Sequence, residues 1–69
     1  MMARYKGVTE YYNKNCYFSP MMIRENKEYD IVIKHGPKYD HVMIINNGHV
    51  RTSIPYSKGN VDKYWELKD

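Results

Sequence analysis

Short apolar segments recur along the chain, divided by turn residues every roughly eight to twelve positions, a spacing that predicts an all-β fold of short strands. The clearest segment is Glu28-Tyr29-Asp30-Ile31-Val32-Ile33-Lys34. It alternates, with Tyr29, Ile31 and Ile33 on one face and Asp30, Val32 and Lys34 on the other. His35-Gly36-Pro37-Lys38 then reads as a turn, because proline pre-sets its own φ and glycine tolerates positive φ. Residues 39–45 and 49–54 flank Asn46-Asn47-Gly48, and two apolar strands around Asn-Gly predict a β-hairpin. Two registers fit it. A two-residue turn at Asn47-Gly48 pairs Ile45 with Val50 and Met43 with Thr52. A type I turn with a Gly48 bulge pairs Ile44 with Val50 and Val42 with Thr52. A slip of one residue exchanges the buried and exposed faces. The second register is favoured, since it keeps Val42, Ile44 and Val50 inside and groups His41, His49 and Arg51 outside.

The flanking segments are less regular. A first strand is expected over Arg4-Tyr5-Lys6-Gly7-Val8. Residues 9–26 read as a long hairpin-like excursion, with Cys16-Tyr17-Phe18 and Met22-Ile23 tucking back onto the core. Pro55 cannot donate to a ladder and is expected to end its strand. Past the corner Tyr56-Ser57-Lys58-Gly59-Asn60, Asn60 is placed to cap a helical turn over residues 61–64, before a last short strand Trp65-Glu66-Leu67. A helix over residues 61–68 ranks second, because Val61, Tyr64, Trp65 and Lys68 share one face at helical spacing.

Length bounds the rest. Sixty-nine residues make one domain, 1–69, with a thin core. A hydrophobic content of 42% with 14% aromatics is that of a folded protein. One cysteine rules out an internal disulfide. The longest apolar run, Val42-Met43-Ile44-Ile45, falls far short of the roughly 18 residues of a membrane span, and no apolar run follows Arg4 and Lys6 as in a secretory signal. A cytoplasmic protein without membrane contact is the expectation. The net charge of +3 lies wholly in residues 1–38, where seven Lys and Arg face four Asp and Glu; residues 39–69 carry four of each sign. Such a basic half steers an acidic partner. Its charges are spaced singly, which is a weak footprint for nucleic acid.

Chemistry is sparse. His35, His41 and His49 with Asp40 invite a metal reading, but nothing in their spacing forces convergence on one ion. Cys16 has neither a base nor an orienting group beside it. With no phosphate loop and no triad order, the expectation is a non-enzymatic protein without metal or cofactor. The eight tyrosines are the anomaly. Tyr29, Tyr56 and Tyr64 suit the core and its ends. Tyr5, Tyr11, Tyr12, Tyr17 and Tyr39 exceed what so small an interior needs. Tyrosine gives rigid contact area with a polar tip, so interfaces favour it. Tyr11, Tyr12, Lys14, Tyr17 and Arg24, with Met21-Met22 nearby, therefore form a candidate protein-binding patch. The competing reading is a weak nucleic-acid binder using Tyr39, His41 and Arg51, with Tyr39-x-His41-x-Met43 as a stacking row. Self-association into a homo-oligomer through open strand edges is a third.

The order of parts resembles a known family. A first strand closing in Lys6-Gly7, a long excursion, the Lys27–Ile33 strand, an Asn-Gly hairpin, Ile54-Pro55-Tyr56-Ser57, a helical turn and a closing strand with Trp65-Glu66 are similar to the small SH3-like β-barrel. The likeness is greatest to the small SH3-like proteins of phages and prophages of Gram-positive bacteria. The resemblance implies a five-stranded barrel, with a long loop after the first strand and a short helical turn before the last. It also implies a phage-encoded protein that binds and modulates a host or phage protein, such as an enzyme or defence factor. Peptide-binding members carry an acidic loop and a tandem Trp. Here that loop holds Lys14, Cys16 and Arg24, and the single Trp is at position 65, so proline-rich ligands do not follow.

Overall fold

A computed structural model describes residues 1–12 and 21–68. It contains β1 (Met2–Tyr5), β2 (Glu10–Tyr12), β3 (Met21–Ile23), β4 (Glu28–His35), β5 (Tyr39–Asn46), β6 (His49–Ser57), α1 (Val61–Tyr64) and β7 (Trp65–Leu67). Five strands form one antiparallel sheet in the order β6-β5-β4-β1-β7, and β2 and β3 form a separate two-stranded hairpin. The all-β expectation holds. The expected barrel does not close: among the described residues β6 and β7 are the two edges of the sheet and pair inward only. β7 is three residues long, and all three pair with β1.

Trp65 sits at the centre of the interior. Its ring lies 5.1 Å from that of Tyr5 and 6.0 Å, edge-on, from that of Tyr29. Its indole N–H donates to the Tyr56 hydroxyl at 2.9 Å, which removes the cost of burying that donor. Ala3, Ile23, Ile31, Val42, Ile44, Ile54 and Val61 complete the core. Each of the larger side chains contributes about 1.5–3 kcal/mol on burial. Tyr5 was expected among the surplus tyrosines, yet it is buried. The reason lies in the pairing: Tyr5 is opposite Trp65 on β7, so its side chain shares the inner face. A Cβ at Gly7 would collide with the Tyr5 hydroxyl, which explains a glycine immediately after the strand. The first strand accordingly stops at Tyr5 rather than running to Val8.

The β4–β5–β6 meander follows the predicted alternation. Tyr29 and Ile31 are buried, Ile33 packs against the core, and Val42 and Ile44 face them from β5. The favoured register does not form: Ile44 does not pair with Val50 nor Val42 with Thr52, and Val50 lies opposite Ile45, outside the core. Asn47 and Gly48 have φ of 55° and 78°, and Asn46 pairs with His49 and Ile45 with Val50, as in the two-residue turn. A bulge then leaves Arg51 without a register partner, so Ile44 meets Thr52 and Val42 meets Ile54. The bulge moves the inward set by one residue and keeps Val42, Ile44 and Ile54 inside. Without it Arg51 and Ser53 would lie opposite Ile44 and Val42, and Ile54 would turn outward.

Pro55 does not end β6, which continues to Ser57. An edge strand pairs on one side only and so tolerates a missing N–H. At the corner, Asn60 makes no side-chain cap; its backbone carbonyl accepts from Lys63 at 3.1 Å instead. The helical turn stops at Tyr64 because Trp65 is extended, at φ −135° and ψ 128°, to pair with Tyr5. No described helix is long and apolar enough to cross a membrane.

Candidate protein interface

The β2–β3 hairpin projects from the end of β1. Its register pairs Glu10 with Ile23, Tyr11 with Met22 and Tyr12 with Met21. Strand alternation sends successive side chains to opposite faces. Ile23 is therefore fully buried in the core and Met21 packs on its margin, while Tyr11 is 61% exposed and Met22 43%. Sequence reasoning placed Met22 with Ile23 in the interior. The three-residue strand shows Met22 outside, because its neighbour Ile23 takes the inward position. Val8, at the base of β2, adds a further exposed apolar side chain.

The return from β3 to β4 is tied down by polar contacts. The Arg24 N–H donates to the Tyr29 hydroxyl at 2.9 Å, and the Glu25 N–H donates to Thr9 Oγ1 at 3.1 Å. Asn26 adopts a left-handed φ of 67°, and its N–H reaches the Tyr5 carbonyl at 2.8 Å. Lys27 closes the bend. Its carbonyl accepts from Tyr5 N–H at 3.0 Å, and its ammonium lies 5.4 Å from the centre of the Tyr29 ring. Burial pushes the Tyr5 hydroxyl above its ordinary pKa, with Glu10 and Glu25 adding to the effect, so the phenol stays neutral beneath the hairpin. The outcome is an exposed Tyr11–Met22 pair, followed by the exposed Arg24, on a bend tied down by these contacts.

Of the predicted patch, Tyr11 and Arg24 are exposed on this hairpin. Tyr12 is placed by its backbone pairing with Met21. Lys14 and Tyr17 lie outside the described residues, as do Cys16 and Phe18. The alternative set lies on β5 and β6. Tyr39 and His41 share the outer face of β5 with Met43, as the row Tyr39-x-His41-x-Met43 anticipated. Arg51 lies at the bulge beyond Ile44, five positions along from Tyr39 and three from His41, or about 17 and about 10 Å at strand rise. The Arg51 side chain is half-buried, and its Nε is shielded without a partner among the described residues.

A polar centre that sequence reasoning did not identify lies at the other end of the meander. Asp40 is buried, and its Oδ1 accepts from His35 Nδ1 at 2.9 Å and Lys58 Nζ at 3.2 Å. Its Oδ2 accepts from the Gly59 N–H at 3.1 Å. The His35 hydrogen bond, then those from Gly59 and Lys58, hold the carboxyl at about 2, below its ordinary 3.8. An aspartate one residue into a strand, just after a Gly-Pro turn, was the available signal. The sequence groups Asp40 with His35 only within a candidate metal set, and gives no sign of the Lys58 and Gly59 contacts. Asp40 borders an open cleft of about 420 Å³ lined by Ile33, His35, Val61 and Leu67. The geometry ties the 36–38 turn to the 57–60 corner. Among the described residues, no three His, Cys, Asp or Glu side chains converge as metal ligands.

No family model, curated protein or solved structure matches the chain.

Proposed function

We propose that this chain is a non-enzymatic binding module of the SH3-like kind that engages a protein partner through its β2–β3 hairpin. The observation that carries the reading is the Tyr11–Met22 cross-strand pair. A large aromatic and an adaptable thioether stand exposed together, on a hairpin whose other face is anchored by Ile23. Aromatic and Met side chains on a pre-ordered base are the composition of an interface centre. The exposed Arg24 beside them favours a partner with acidic groups around an apolar contact. The order of elements supports the SH3-like assignment: one strand, a hairpin excursion, a three-strand meander, a helical turn and a closing strand beside the first. By that resemblance the protein is phage-encoded and acts in the host cytoplasm, and its partner is a host or phage protein such as an enzyme or defence factor.

The experiment is affinity capture from a Gram-positive bacterial lysate, with and without nuclease, using the wild-type chain and Tyr11→Ala/Met22→Ala. The expected result is a discrete protein band that survives nuclease and is lost with the double variant. Capture that disappears on nuclease treatment would replace this reading with nucleic-acid binding through the β5 face.

A further inference from the structure

The side of the main sheet turned away from Trp65 is unusually apolar at its centre. Outward positions of β4 are Glu28, Asp30, Val32 and Lys34 in alternation. Val32 is 48% exposed in the middle of the sheet. Its register neighbours are Met43 on β5 and Ser53 on β6. Ile45 and Val50 extend the apolar area on one side of Asp30, and the exposed Met2 extends it on the other. The charges framing this area have a definite order. Glu28 and Asp30 lie at one end of β4, and Lys34, opposite His41, lies at the other. Arg4 is opposite Glu28 but bonds Glu66 and Asn26, and Asp30 also accepts from the N-terminal ammonium at 3.0 Å.

We propose that two copies of this chain associate through this face, about a twofold axis passing beside Val32, with their β4 strands antiparallel. Asp30 and Lys34 lie equally far from Val32, each about 7 Å along the strand. A twofold operation there sets Asp30 of each copy against Lys34 of the other, while the parallel arrangement sets like charges together. The apolar centre, Val32 with Met43, falls on its own counterpart, as an isologous interface requires, while Ile45, level with Asp30, meets His41, level with Lys34. Two sheets packed in this way lie about 10 Å apart with their strands nearly aligned. A domain this small gains from covering such a face, because its own core is thin. The inference is independent of the hairpin reading, since Tyr11 and Met22 belong to a different sheet.

Sedimentation equilibrium at micromolar concentration tests it. The wild-type chain is expected at twice its 8.3 kDa mass. Val32→Asp should return it to the monomer, and so should Asp30→Lys or Lys34→Asp alone. Thermal unfolding of the exposed charge variants checks that they remain folded. Mixing the Asp30→Lys chain with the Lys34→Asp chain should restore a dimer, because each then meets opposite charge at both contacts. Tyr11→Ala should leave the mass unchanged. A wild-type chain that stays at the monomer mass overturns the proposal. So does a dimer that survives Val32→Asp, or single charge variants that fail to reassociate on mixing.

Discussion

The β4–β5–β6 meander and the β2–β3 hairpin use the same alternation for different ends. The meander has strands of eight, eight and nine residues, with inward side chains at nearly every second position. The hairpin has strands of three residues and, among the described side chains, one that is fully buried, Ile23, with Met21 at its margin. A long alternating pair distributes its stability over many contacts. A short pair concentrates it in a single anchor and leaves its other face available. The small hairpin thus presents Tyr11 and Met22 at little cost to the fold, while the meander supplies the rigid body behind them.

This contrast predicts a graded series of losses. Trp65→Ala should be the most damaging change, because it removes the ring between Tyr5 and Tyr29 and orphans the Tyr56 hydroxyl contact. Such a truncation costs about 3–5 kcal/mol, comparable to the whole stability of a domain this size. Denaturant titration should find the variant largely unfolded in buffer. Ile23→Ala comes next, at about 2–5 kcal/mol. Hydrogen exchange should show β2–β3 amides losing protection first while β4 and β5 amides persist. Equal loss in both regions would show that hairpin and meander unfold as one unit.

Asp40→Asn tests the meander's polar end, with an expected fall of several degrees in melting temperature at neutral pH. The sign with pH follows from the lowered pKa. Ionised Asp40 stabilises the fold fully above its ordinary 3.8, and that contribution is lost as pH falls through about 2. The difference between wild type and variant should therefore close as the melting experiment is taken down to that pH. Tyr11→Ala is the smallest change, within about 0.5 kcal/mol, as for an exposed side chain with no structural role. A large loss of stability there would mean that the exposed face of the hairpin is structural after all.

Much of the fold was legible in the sequence because it rests on local signals. The period-two pattern of Glu28–Lys34, the Gly36-Pro37 turn, the Asn47-Gly48 hairpin and the break at Trp65 each depend on neighbours a few residues away. Of the candidate patch, Tyr11 and Arg24 could be picked out by chemistry alone. That Met22 joins them while Ile23 does not depends on which face of a three-residue strand meets the core.

What the sequence determined by itself is the set of strands and turns, since alternation, glycine and proline act through steric limits on φ and ψ. Only the tertiary structure decided the features that depend on distant partners. Tyr5 is interior because Trp65, sixty positions later, pairs with it. β6 absorbs Pro55 because it is an edge. Arg51 bulges because Ile44 and Ile54 must both face the core. Asp40 is ionised and buried because His35, Lys58 and Gly59 arrive from both sides of the meander. In each case burial selects among local conformations of similar energy, and a single chain segment holds no record of that choice.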